Sequence, residues 1–421
     1  MREDRLAPGR RKCRAKRVHS DSHWTVRAGH LVILCSFALL CLGVVMVQSA
    51  GLTIGAGEPI SLTSIILSRP AAYMALAIMA LFAASWAPIR PILESRRVVT
   101  SPIWILPLGL LACALVYVPG LAREVNGAKR WIGIDLPGLG SLSIQPSELA
   151  KWGSVLFVAW FAVWRGPEMR RFIGGLTLGL APVAVLAGLV LLEDLGTAAL
   201  IGAVAVAILL AGGARWGHVL ALAPIGGLLF VVGVLAEPYR MRRLAAFVDP
   251  FADPAGSGYH ALQSMTAVAG GGGFGRGLGF GLQKFGYLPE DQTDFIFAII
   301  CEELGLAGAT IVIALYLGLL WGGWSIVRAE RSASMKLLGL GVLLTVGIQA
   351  IINLAAVTGL GPTKGIALPL VSAGGTGWVL TAASLGLLTG MDRRHAAIEA
   401  QESVSDAPAE DVTSIALPEP A

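Results

Sequence analysis

At 421 residues, 55% hydrophobic and only 14% charged, with a mean hydropathy of +0.72, the chain lies far outside the composition of soluble globular proteins and reads as a polytopic membrane protein. A net charge of +5 and a pI near 9.1 do not argue for a nucleic-acid partner, because basic excess in membrane proteins collects in cytoplasmic loops. The five cysteines (Cys13, Cys35, Cys41, Cys113, Cys301) are scattered without metal-ligand or disulfide spacing and read as packing residues.

Residues 1–28 carry nine Lys/Arg against three acids and little apolar content, so a disordered basic cytoplasmic tail resting on anionic lipid is expected. The run at 30–49 is too long for a signal-peptide core and lacks a convincing small-residue cleavage site, which makes it a retained first span. A span needs about 20 apolar residues to cross about 30 Å of hydrocarbon. Ten windows qualify: 30–49, 71–89, 102–119, 147–164, 172–192, 195–213, 217–236, 294–327, 335–357 and 374–391. Glu193-Asp194 separates the fifth and sixth as a tight hairpin, and the over-long eighth predicts a helical extension or a tilt. With the N-terminus inside, 21 basic residues fall on the cytoplasmic side, 10 on the outer side, and Lys151 within a span. The expected fold is an all-α membrane domain of about ten helices over 29–392, with a large extracytoplasmic loop between spans seven and eight. Both termini are cytoplasmic, and an acidic disordered tail covers 393–421.

Two outer segments, 120–146 and 237–293, are too long for simple links and contain apolar and aromatic residues that linkers lack. They hold most of the outer positive charge, which points to an anionic ligand. In the first, Asn126-Gly127-Ala128-Lys129-Arg130-Trp131 precedes Gln145-Pro146-Ser147-Glu148-Leu149-Ala150-Lys151. Lys151 lies at i+3 from Glu148, so a structural ion pair competes with a functional cation. Glu193-Asp194-Leu195-Gly196-Thr197 reads as a helix N-cap with small packing residues. The second segment holds Tyr239-Arg240-Met241-Arg242-Arg243 and a glycine-rich run from Gly270 to Gly281. That run matches G-x-G-x-x-G trivially but lacks the strand of a dinucleotide fold and the Lys-Ser/Thr of a P-loop, so nucleotide binding is rejected. Close-packed re-entrant backbone, shielded by protein, is the better reading.

From Tyr287 to Gly305, YLPEDQTDFIFAIICEELG places Asp294 at the mouth of an apolar run and Glu302 and Glu303 about two turns deeper. The last motif, Asn353 to Thr376, carries an intramembrane amide that needs a partner, and the outer cation Lys364.

Taken together, these motifs resemble the SEDS family of bacterial membrane glycosyltransferases, the FtsW, RodA and SpoVE proteins, over roughly residues 100–392. NGAKRWIG, QPSELAK, DLGTA, GYHALQS with LGFGLQKFGYLPEDQTDFIFAIICEELG, and NLAAVTGLGPTKGIALPLVSAGGT occur in the family's order. YRMRR and PTKG lean toward FtsW, while GYH is more like RodA and Gln292 before Thr293-Asp294 is like SpoVE; Ala373 and Thr376 stand where the family often has Tyr and Ser. The resemblance implies a peptidoglycan glycosyltransferase that polymerises lipid II at the outer face of the bacterial cytoplasmic (inner) membrane, with Asp294 as catalytic base. Substrate binding falls to Lys151, Lys129, Arg243, Glu148, Gln145 and Ser372. The leaving pyrophosphate is met by Lys151, Arg243 or Lys129, with or without a divalent cation such as Mg or Mn; no other cofactor is expected. Implied partners are a class B penicillin-binding protein and other divisome or elongasome membrane proteins. Two competing readings are a lipid II flippase, since intramembrane ions also mark transport paths, and a non-catalytic division scaffold.

Overall fold

The computed structural model describes residues 27–51, 62–95, 97–118, 120–125, 128–136, 140–373 and 375–405. The chain is a helical bundle. In order it forms α1 (Ala28–Ala50), α2 (Leu62–Ile66), α3 (Arg69–Trp86), α4 (Ile89–Leu93), α5 (Ile105–Ala114), strands β1 (Ala122–Val125), β2 (Ala128–Leu136) and β3 (Gly140–Ile144), then α6 (Pro146–Arg165), α7 (Leu178–Glu193) and α8 (Leu195–Ala211). There follow α9 (Trp216–Leu235), α10 (Pro238–Val248), α11 (Tyr259–Gly270), α12 (Ile296–Ala329), α13 (Ala333–Val357) and α14 (Thr376–Ser405). Among the described residues six helical stretches, α1, α3, Phe172–Glu193 (through α7), α9, α12 and α13, are long and apolar enough to cross a membrane; Pro102–Tyr117 and α8 are shorter apolar helices. Each window named from the sequence overlaps a described helix.

The elements alternate in direction, so their ends meet at two levels. At one level Arg27 pairs with Glu399 at 3.0 Å, Ser332 Oγ donates to Glu94 Oε1 at 2.8 Å, and Trp160 Nε1 donates to Ser95 O at 3.0 Å. The opposite level holds the C-terminal ends of α1, α7 and α13 and the N-terminal ends of α6, α8, α12 and α14. There Ser49 Oγ donates to Glu303 Oε2 at 2.7 Å and the Gln145 amide to Thr376 Oγ1 at 3.3 Å. The core between the levels is continuous, running through Leu39, Val158, Ile208, Ile299, Val342 and Leu385.

Three features depart from the sequence expectations. Segment 120–146 contains a three-stranded antiparallel sheet in the order β1-β2-β3, with Arg123 opposite Trp131 and Ile132 opposite Ile144, so the chain is not purely helical. The helix at 376 continues to Ser405, past the expected boundary at 392. It continues because Arg393 Nη2 and Arg394 Nη2 donate to Ser85 O (2.8 Å) and Ala87 O (2.6 Å) at the end of α3, with Arg393 3.5 Å over the Trp86 ring. Residues 1–26 of the expected tail at 1–28, and 406–421 of the one at 393–421, lie outside the described residues.

Third, the over-long α12 is neither straight nor simply extended. It breaks at Gly305, whose φ of 66° and ψ of −161° no side-chain-bearing residue adopts readily. The glycine-rich run docks into this break. The amides of Arg276 and Gly277 donate to Glu302 O (2.9 Å) and Glu303 O (3.0 Å), while those of Leu306 and Ala307 donate to Gly272 O (2.9 Å) and Gly273 O (3.1 Å). Backbone groups freed by the kink are thus satisfied by another backbone, as a low-dielectric interior requires. A Cβ at Gly271 would sit 1.8 Å from Cys301 O, so the approach needs glycine.

Candidate active site

Asp294 sits two residues before α12 and is partly buried. Burial pushes its carboxyl up from 3.8 to about 7; Glu290 and Asp194 raise it further, while Arg243 and Arg130 draw it down. These four charged groups come from four places in the chain. Glu290 precedes it in the same loop, Arg243 lies on α10, Asp194 caps α8, and Arg130 lies on β2. Asp291, three residues upstream, is also raised, to about 6, chiefly by burial.

Arg130 is fixed by its Nη2 donating to Glu193 O at 2.5 Å, at the end of α7. Its Nε is buried without a hydrogen-bond partner. Beside it lies a small cleft, with room for about 30 Å³, bordered by Tyr117, Ser147, Glu193 and Asp194. Arg243 lies 4.8 Å over the Tyr239 ring and its Nη1 donates to Thr363 O at 3.4 Å. The loop from 358 to 373 covers the carboxylate: a Cβ built at Gly365 would lie 3.1 Å from Asp294 Oδ2 and 3.7 Å from Arg130 Nη1. His260 of α11 stacks on Phe295 with centroids 6.0 Å apart, and burial followed by Arg243 holds its pKa below the usual histidine value. Lys364, in the same covering loop, is lowered by burial and partly restored by Asp194.

Of the residues singled out in the sequence, Asp294 and Arg243 come together here. Lys129 lies on β2 opposite Glu124, next to Arg130. Lys151 and Glu148 form a separate, deeper set. Lys151 Nζ donates to Glu148 Oε1 (2.8 Å), Glu148 Oε2 (2.7 Å) and Gln349 Oε1 (3.0 Å), so the ammonium is charge-paired and hydrogen-bonded while only 2% of the side chain is exposed. The structural ion pair is therefore present. Gln145 is the N-cap of α6, and Ser372 Oγ accepts from the Leu368 amide at 2.7 Å within a buried turn. Asp194 caps α8, accepting from the Gly196 and Thr197 amides at 2.9 and 3.1 Å.

Glu302 and Glu303 bind the glycine-rich run. Glu302 accepts from the Leu282 and Gln283 amides at 2.9 and 3.1 Å; Glu303 accepts from Lys284 Nζ at 2.7 Å and from the Gly279 amide at 2.9 Å. Both are occupied as anchors. Among the described residues no group of three or more His, Cys, Asp or Glu is arranged to hold a metal ion.

A model of the family described as a cell cycle protein, FtsW/RodA/SpoVE, matches residues 29–397. The chain belongs to the FtsW/RodA/SpoVE family. Among its relatives, a probable peptidoglycan glycosyltransferase FtsW of Alkalilimnicola ehrlichii is 38% identical over 370 residues, covering 85% of this chain and 88% of the relative. The stage V sporulation protein E of Bacillus subtilis is 39% identical over 280 residues, covering 66% and 75%. A solved structure described as a peptidoglycan synthase complex, in work on the coordination of polymerization and crosslinking, matches with a TM-score of 0.66 and 28% identity, covering 86% of this chain and 97% of the other. The rod shape determining protein RodA of Thermus thermophilus matches with a TM-score of 0.57 and 26% identity, covering 86% and 95%.

Three residues around Asp294 do not stand out as site residues in the sequence. Arg130 was passed over for its neighbour Lys129, and the space at Gly365 has no local signal. Asn353 was marked only as needing a partner.

Proposed function

We propose that this chain is a peptidoglycan glycosyltransferase that polymerises lipid II, with Asp294 as the base. The observation that carries the mechanism is a carboxylate at a helix mouth, pushed up to about 7 by burial and flanked by Arg130 and Arg243. A base works best with a pKa near the operating pH, and a positioned carboxylate typically contributes about 10² to 10⁴ in rate.

In the reaction the GlcNAc 4-hydroxyl of one lipid II attacks C1 of the MurNAc at the reducing end of the donor. The O4–C1 bond forms, Asp294 takes the hydroxyl proton, and the C1–O bond to pyrophosphate breaks with its electron pair leaving on the phosphate oxygen. Arg243 and Arg130 are assigned to the departing negative charge ahead of Lys151, whose ammonium is already neutralised by Glu148. Lys129 remains a further candidate from the same strand as Arg130.

The reading extends to ten crossings of the bacterial cytoplasmic membrane, with the Asp294 level outside. The Arg27–Glu399 pair, which puts both ends of the membrane domain at one level, supports an even number. Likeness to FtsW proteins and to a peptidoglycan synthase complex supports a role in cell division beside a class B penicillin-binding protein. Purified protein in vesicles with outward-facing lipid II tests the activity: glycan chains support it, and lipid II movement without polymer would mean a transporter instead.

A further inference from the structure

Asp294 is also held through its main chain. Asn353 lies on α13 one turn before that helix ends, and is 2% exposed. Its Nδ2 donates at 2.8 Å to Asp294 O and at 2.8 Å to Ile366 O. Two carbonyl acceptors fix the orientation of the amide, because only its NH₂ end can donate. Ile366 follows Gly365, the residue against the Asp294 carboxylate. One side chain thus ties the entry to α12 to the loop that covers the base. One turn deeper on α13, Gln349 repeats the pattern: Nε2 donates to Ala367 O at 2.9 Å while Oε1 accepts from Lys151.

We propose that Asn353 is a positioning residue for the reaction, setting the distance between Asp294 and the covering loop by bonding both main chains. The proposal rests on the reading of Asp294 as the base. A substitution that only loosened packing would leave the titration of Asp294 alone, whereas a charge placed at 353 acts on it directly. The groups already facing Asp294 are Glu290 from its own loop, Arg243 from α10, Asp194 from the start of α8 and Arg130 from β2. His260 of α11 senses Arg243 and Glu290, and Lys364 of the covering loop senses Asp194.

The test is initial-rate kinetics of lipid II polymerisation by full-length protein across pH. Asn353→Ala, which removes both donors, should lower kcat about 10- to 100-fold with KM changed less than about threefold, the pattern of a misplaced catalytic group. Asn353→Asp keeps the volume, loses the NH₂ and adds a negative charge. It should move the acidic limb of the pH–rate profile upward by at least about half a unit, because the two carboxylates lose their second proton only at higher pH. Thr345→Val, isosteric and two turns away on the same helix, should retain wild-type kinetics. Wild-type kcat in folded Asn353→Ala overturns the proposal, as does an unmoved acidic limb in Asn353→Asp, which decides alone if the alanine variant does not fold. Asp294→Asn in the same assay separates the two readings: its inactivity leaves the base assigned whatever Asn353 does, and its activity removes the base itself.

Discussion

Acidification from about pH 8 to about pH 6 should cut kcat/KM for lipid II about tenfold, because a single group titrating near 7 passes from about nine-tenths to about one-tenth ionised across that range. The magnitude follows from burial pushing Asp294 up to about 7. The sign follows from its role: a base must be ionised to accept a proton, so activity is present above that value and lost as the pH falls through it. Glu290 is the next contributor after burial, and its own carboxylate accepts from Thr293 Oγ at 2.6 Å. Glu290→Gln removes a nearby negative charge and should move the acidic limb to lower pH. Arg243→Met removes an opposing cation and should move the limb upward while also lowering kcat. Radiolabelled lipid II consumed at fixed protein concentration in a series of buffers reports all three profiles. A wild-type acidic limb at about pH 5 or below, near an unperturbed carboxylate, would refute the reasoning, as would limbs that ignore both substitutions.

Three further outcomes follow from the same contacts. Lys284→Met strands Glu303, both side chains being fully buried; breaking such a pair costs about 3–5 kcal/mol, and the remaining bonds from Gly279 and Ser49 hold the loss to the lower end, measurable by denaturant unfolding in detergent. Gly365→Ala places a Cβ 3.1 Å from Asp294 Oδ2, so polymerisation should fall about tenfold with little change in unfolding temperature. Asp294→Asn should be more stable than wild type, by up to about 4 kcal/mol above pH 7. The folded carboxyl releases its proton near 7 and the unfolded one near 3.8, so wild-type stability falls as pH rises between those values, while the amide does not titrate.

The helices were legible because about twenty apolar residues in a row have few alternatives. Asp294 was legible as a carboxylate where an apolar run begins, and the glycine-rich run as shielded irregular backbone. Less visible was what local sequence does not encode. The break in α12 at Gly305 depends on main-chain bonds joining Glu302, Glu303, Leu306 and Ala307 to a run some thirty residues upstream, so the stretch read only as an over-long window. The sheet at 122–144 has glycines and a bulge between Arg123 and Glu124 that blur its alternation. On β2, Lys129 and Arg130 are adjacent, and a one-residue change of register exchanges the two faces, so only the folded strand shows Arg130 beside Asp294. The extension of α14 beyond 392 rests on carbonyls at the end of α3, three hundred residues away. Lys151 at i+3 from Glu148 reads from sequence either as an ion pair or as a functional cation; Gln349, 198 residues on, supplies a third acceptor that no local pattern shows.

The most direct test uses purified wild-type and Asp294→Asn protein, both shown to be folded and inserted in vesicles, supplied with outward-facing lipid II. Wild type should build glycan chains and Asp294→Asn none. Chains of wild-type length and amount from Asp294→Asn would contradict the assignment of the base.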